Sequence, residues 1–145
     1  MNPMVRRVDV AQAAVDRFAG KPFAWHTTDC GRLAAFVLRG LGYKPVFSRF
    51  GRYSTAMGAH KALKRAGFKD TVDWIDSIHG LTRTPFAMTL PGDLAAYEGQ
   101  DAMTALTVVL GNQRLLGFHP QTGGCVVMQP IAIPEICWRV APCRS

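Results

Sequence analysis

Carboxylates are scarce in the first half of this chain. Residues 1–69 hold 13 Lys or Arg against three Asp or Glu, a balance of +10, whereas residues 70–145 hold four against seven, a balance of −3. A basic front half suits an anionic surface such as nucleic acid, a cell-wall polymer or an acidic protein, or else forms a solvated basic face. Long apolar runs are also missing. None approaches the roughly 20 residues that a membrane span needs, so no span is expected. Met1 to Arg7 is followed by Val8-Asp9-Val10-Ala11-Gln12, which lacks the unbroken apolar stretch of a signal peptide, so synthesis and retention in the cytoplasm of the producing cell are expected. Repeats, low-complexity tracts and linkers are absent, and 145 residues are the usual size of one domain, 1–145. No C-x-x-C pair occurs among the cysteines at 30, 125, 137 and 143, so free thiols are expected rather than a disulfide framework. Cys125, Cys137 and Cys143, with His119, are the one set worth weighing as a metal or iron–sulfur site, but their spacing matches no such motif. No cofactor is expected.

What is present divides into a helical front, about 8–79, and a strand-rich back, about 92–140. Val8, Ala11, Val15 and Phe18 share a face, which predicts an amphipathic helix over 8–19, stopped by Gly20-Lys21-Pro22. Asp29 is placed to cap a second helix, with Cys30 its first residue. That helix is apolar on most sides, with Arg32 and Arg39 as its wet positions, and therefore reads as central and buried. Ser54 is the expected cap of a third helix through Ala66, and Val72, Ile75 and Ile78 mark a short fourth. Five strands are expected after Pro91-Gly92: 93–97, 104–110, 114–118, 124–128 and 135–140, with hairpin turns at 111–113 and 121–123. Helices followed by an antiparallel meander predict an α+β domain with its helices on one face of the sheet.

Cys30 carries the chemistry. A helix N-terminus presents unpaired N–H groups and about half a positive charge. Both favour thiolate, so a lowered pKa and a nucleophilic sulfur are expected. The N–H groups of Cys30 and Gly31 would serve as oxyanion donors. The alternative is a small core residue that starts a buried helix.

Three segments resemble the NlpC/P60 peptidases, a papain-like family. These are Phe23-Ala24-Trp25-x-x-x-Asp29-Cys30, Pro91-Gly92-Asp93-Leu94 and Leu106-Thr107-Val108-Val109-Leu110-Gly111-Asn112, and the likeness spans roughly residues 20–140. Arg52-Tyr53 and Trp138-Arg139-Val140 make the chain similar to a short phage-encoded branch of that family. The resemblance implies a papain-like NlpC/P60-type fold with Cys30 as nucleophile, and a place in the virion tail, at the tail tip or baseplate of phage or gene-transfer-agent-like particles. Its partners would be other hub proteins and peptidoglycan.

The family's catalytic His opens its second central strand, and the pattern puts Ala105 there. Its third polar residue falls near Gly117, with His119 two residues on. His26, four residues before Cys30, is a candidate substitute base or else a loop side chain. Cysteine attack on an amide needs such a base. The leading expectation is therefore a tail component with impaired or absent catalysis. The alternative is a cysteine endopeptidase or amidase using Cys30 with His119 or His26. A nucleic-acid-binding module ranks last, because the basic residues are spread over several helices and match no known motif.

Overall fold

A computed structural model describes residues 2–25, 28–45, 50, 52–97, 105–119 and 123–142. Its first helix, α1 (Pro3–Phe18), starts five residues earlier than its apolar periodicity alone predicts. The reason is a cap: the Asn2 side chain accepts from the Met4 N–H at 2.8 Å, and Pro3 supplies a preset φ at the first position. Helix α2 (Cys30–Gly40) is capped by Asp29 as expected, and its Leu33, Ala34, Ala35, Val37 and Leu38 are buried. Gly40 lets α1 approach closely, since a Cβ there would sit 2.8 Å from Val10. Helix α3 (Ala56–Arg65) is capped by Thr55, whose hydroxyl accepts from the Gly58 N–H at 2.9 Å, rather than by Ser54. Helix α4 (Thr71–Asp76) is capped by Asp70 and ends before Ile78.

The sheet has six strands, not five: β1 (Leu81–Arg83), β2 (Leu94–Tyr97), β3 (Ala105–Gly111), β4 (Arg114–Phe118), β5 (Cys125–Met128) and β6 (Ile136–Val140). Strand β1 escapes sequence patterning because three residues cannot display a period. The order is β1-β6-β2-β3-β4-β5, all antiparallel. Only β2 to β5 form the expected meander. Strand β6 crosses back to lie between β1 and β2, which corrects the simple hairpin succession. Asn112 and Gln113 both have positive φ, 51° and 61°, the signature of the type I′ turn that joins β3 to β4. Helices α1 and α2 pack against β3, on one face of the sheet. Leu94, Ala96, Leu106, Val108, Leu116, Trp138 and Val140 join the helices in the main core. Ala95, Val109, Leu115 and Cys137 alternate to the far face, under Phe86, Tyr97 and Met128. The α+β class with helices on one face of an antiparallel sheet thus holds.

One buried carboxylate joins these parts. Asp93 has no exposed surface and accepts four hydrogen bonds. Its Oδ1 takes Arg7 Nη1 and the Val140 N–H, both at 2.9 Å. Its Oδ2 takes the Leu90 N–H at 2.8 Å and Arg139 Nε at 3.0 Å. Arg7, 3% exposed, also donates to Pro91 O at 3.1 Å and Val140 O at 2.7 Å. The turn that presents Asp93 needs Gly92, whose φ is +89° and whose absent Cβ would press on Leu41 at 3.2 Å. Removing one partner of a buried ion pair leaves an uncompensated charge, at a cost of about 3–5 kcal/mol. Asp93→Ala should therefore lower stability by about that amount in urea denaturation. Arg139→Gln should cost less, because Arg139 is partly exposed and Arg7 remains on Asp93.

Candidate functional site around Cys30

The chain reaches Cys30 along a strap on the outer edge of β5. Gly20 N–H donates to Cys125 O at 2.8 Å, Cys125 N–H to Lys21 O at 2.9 Å, and Phe23 N–H to Gly123 O at 2.7 Å. Phe23 packs edge-on against Trp25 and Phe118, with ring centroids 4.6 and 5.2 Å apart. Ala24 and Thr28 then pair across a tight turn, which delivers the chain to Asp29. Asp29 is 2% exposed. One of its oxygens caps α2 through the Arg32 N–H at 2.8 Å, and the other accepts the Tyr53 hydroxyl at 2.9 Å. Burial, then the Asp29 charge and this hydrogen bond, push the Tyr53 phenol well above its usual range.

Cys30 is half-buried, and the cavity beside it measures about 40 Å³. Trp25, Phe50, Tyr53 and Trp74 wall the cavity, together with Asp29, Gly31 and Thr71. Thr71 is 3% exposed, and its hydroxyl oxygen has no hydrogen-bond partner. Burial pushes the Cys30 thiol up to about 11, and the nearby Asp29 charge adds to the rise. The backbone N–H groups of Leu106, Gly31 and Cys30 act in the opposite direction but do not prevail. The lowered pKa expected from the helix N-terminus is thus overturned: desolvation and an adjacent carboxylate outweigh the helix end. At pH 7 roughly one thiol in 10⁴ is ionised.

The Leu106 contact follows from the way β3 and β4 part. Their register runs from Gly111↔Arg114 to Val108↔Leu116 and is not continued to Leu106. Val109 exchanges backbone bonds with Gly92 and Asp93 on the β2 side. By alternation, Leu106 N–H points to the β4 side of β3, and it acts on the Cys30 thiol from there. Leu106 also shares the helix-facing core. Ala105, the position laid on the family's His, is exposed, and the alternation puts it on the face shared by Thr107 and Val109. The β3 residue that meets the thiol is therefore Leu106, one place on.

Cys30 and Gly31 both line the cavity, whereas His119 is not among its described lining residues. His119 lies one residue past β4 and closes the β4–β5 turn through its backbone, with Gly124 O and the Gly123 N–H each at 2.9 Å. Gly117 faces Thr107 and Met128. Among the described residues no histidine lines the cavity. His26 lies outside the described residues, as does Cys143. Cys125 and Cys137 lie on β5 and β6, four strand spacings or roughly 19 Å apart, and on opposite faces of the sheet. They do not share an ion, and no group of three or more metal-ligating side chains occurs among the described residues. Thr71, Phe50 and Trp74 carried no sequence signal as site residues. Tyr53 was visible only as half of the Arg52-Tyr53 pair.

Burial also pushes the Cys125 and Cys137 thiols up to about 11. A folded-state pKa above the unfolded value of 9.0 gives stability that is full below 9 and is lost as pH rises through 11. The urea midpoint should accordingly fall between pH 9 and pH 11. Cys30 alkylation by iodoacetamide should inflect near pH 11 rather than 9, measured by mass spectrometry of the modified peptide.

No curated protein gives a significant match to this chain. A family model described as a domain of unknown function, DUF6950, matches residues 6–140, nearly the whole chain from α1 through β6. The ion-pair turn, the capped cysteine helix and the final strand all fall within the match, and the chain belongs to the DUF6950 family.

Proposed function

We propose that this chain is a component of a phage-type tail tip or baseplate, built on an NlpC/P60-like fold that keeps the nucleophile's position without its chemistry. The observation that carries this reading is the surroundings of the Cys30 sulfur. It is a thiol pushed up to about 11 and walled by aromatic side chains, and among the described residues no histidine lines its cavity. Loss of a general base costs roughly 10²–10⁴-fold in rate. Such a loss is compatible with a protein retained for its shape and its contacts. The resemblance of Phe23–Cys30, Pro91–Leu94 and Leu106–Asn112 to NlpC/P60 segments supports the fold name. The similarity of Arg52-Tyr53 and Trp138-Arg139-Val140 to the phage branch supports the tail assignment.

A second reading is a cysteine endopeptidase or amidase that cleaves peptidoglycan peptides. What favours it is the group of N–H donors near the sulfur, from Leu106, Gly31 and Cys30, which act to lower the thiol pKa and so favour the nucleophilic form. His26 would then be the base.

The two readings separate in a digest of purified sacculi with wild-type protein and with Cys30→Ala, read as muropeptides by mass spectrometry. The structural reading expects no release by either protein, and Cys30→Ala particles of unchanged assembly and infectivity. Muropeptides released by the wild type and not by the variant would overturn it in favour of the peptidase.

A further inference from the structure

Helix α3 has two faces with different tasks. Its inner face, through Ala59 and Leu63, lines the Cys30 cavity, and Ala62 is buried beside them. Its outer face carries Lys61, Lys64 and Arg65, all exposed and spaced three and four apart, so they stand together. Arg52 before the helix and Lys69 after it are exposed as well. From Cys30 to Lys69 the chain has nine Lys or Arg and no Asp or Glu.

Among the described residues no carboxylate forms an ion pair with these α3 cations. The ion pairs among the described residues use Arg7, Arg83 and Arg139. The acidic residues that follow α3 have other work. Asp70 caps α4, Asp73 accepts the Lys69 backbone N–H, and Asp76 binds Arg83 and the Trp138 indole. The helix thus presents uncompensated positive charge.

We propose that the outer face of α3, with Arg52 before it, is a docking surface for the phosphate backbone of duplex DNA. The charge pattern selects this occupant. A protein surface carries charges of both signs and would be met by a mixed face. A phosphate backbone is uniformly negative, and any carboxylate on the docking face would repel it. Single strands are recognised by stacking on aromatic side chains, and α3 has no Phe, Tyr or Trp among its ten residues, Ala-Met-Gly-Ala-His-Lys-Ala-Leu-Lys-Arg. The contact would be sequence-independent, because backbone contacts position a duplex without reading it. The inference stands apart from the proposed function and from Cys30.

The test is fluorescence anisotropy with a labelled random-sequence 24-base-pair duplex across a salt series. Three proteins are compared: wild type, Lys61→Gln/Lys64→Gln/Arg65→Gln, and a control of equal charge change, Lys21→Gln/Arg39→Gln/Arg114→Gln. All six positions are exposed, so circular dichroism should show the same fold in each. Each lost phosphate contact lowers the slope of log affinity against log salt by about 0.9, so the α3 variant should lose between two and three units of slope and about tenfold or more in affinity at moderate salt. The control should stay within about threefold of wild type. Equal weakening by both variants would overturn the proposal, since net charge alone would then account for binding. Absence of binding at low salt would also overturn it. So would displacement of the duplex by polyglutamate at equal charge concentration, which would assign the face to an acidic protein.

Discussion

The buried Arg7–Asp93 pair is the constraint on which the rest of the structure depends. Asp93 gathers α1 through Arg7, β6 through Arg139 and the Val140 N–H, and its own turn through the Leu90 N–H. Arg7 also donates to Pro91 O and Val140 O. Two charges in an apolar interior are tolerable only when paired and well hydrogen-bonded, and here Asp93 accepts four bonds while Arg7 donates three. Its consequence is topological. It holds β6, the last strand, beside β2 in the middle of the sheet, and it fixes α1 across the helix-facing side of β3.

That frame decides the character of the Cys30 site. With α1 and α2 packed on β3, the N-terminus of α2 comes close to Leu106 of that strand. Burial at this junction protects the thiol and raises its pKa. Asp29 contributes twice, as cap of α2 and as acceptor for Tyr53, and its charge also discourages thiolate. The feature that makes α2 a stable helix therefore works against a reactive cysteine.

The motifs quoted for the NlpC/P60 likeness gain a physical meaning in the structure. Pro91-Gly92-Asp93 is the ion-pair turn, and Arg139 in the last strand is its second cation. Asp29-Cys30 is a cap followed by the first helical residue. Tyr53 holds the second oxygen of that cap. These positions specify a frame, and a frame can persist in a protein whatever becomes of its chemistry.

The sequence by itself determined the α+β class, the four helices, five of the six strands, and Asp29 as cap with Cys30 next to it. All of these rest on local signals: periodicity, capping side chains and turn residues acting within a few positions. Only the tertiary structure decided that β1 exists, that β6 returns to the middle of the sheet, that Leu106 rather than Ala105 meets the thiol, and that Cys125 and Cys137 lie on opposite faces. It also reversed the expected acidity of Cys30. Strand order, facing and desolvation are set by residues far apart in the chain, such as Cys30 with Leu106 and Arg7 with Asp93, and no local pattern records the distance between them.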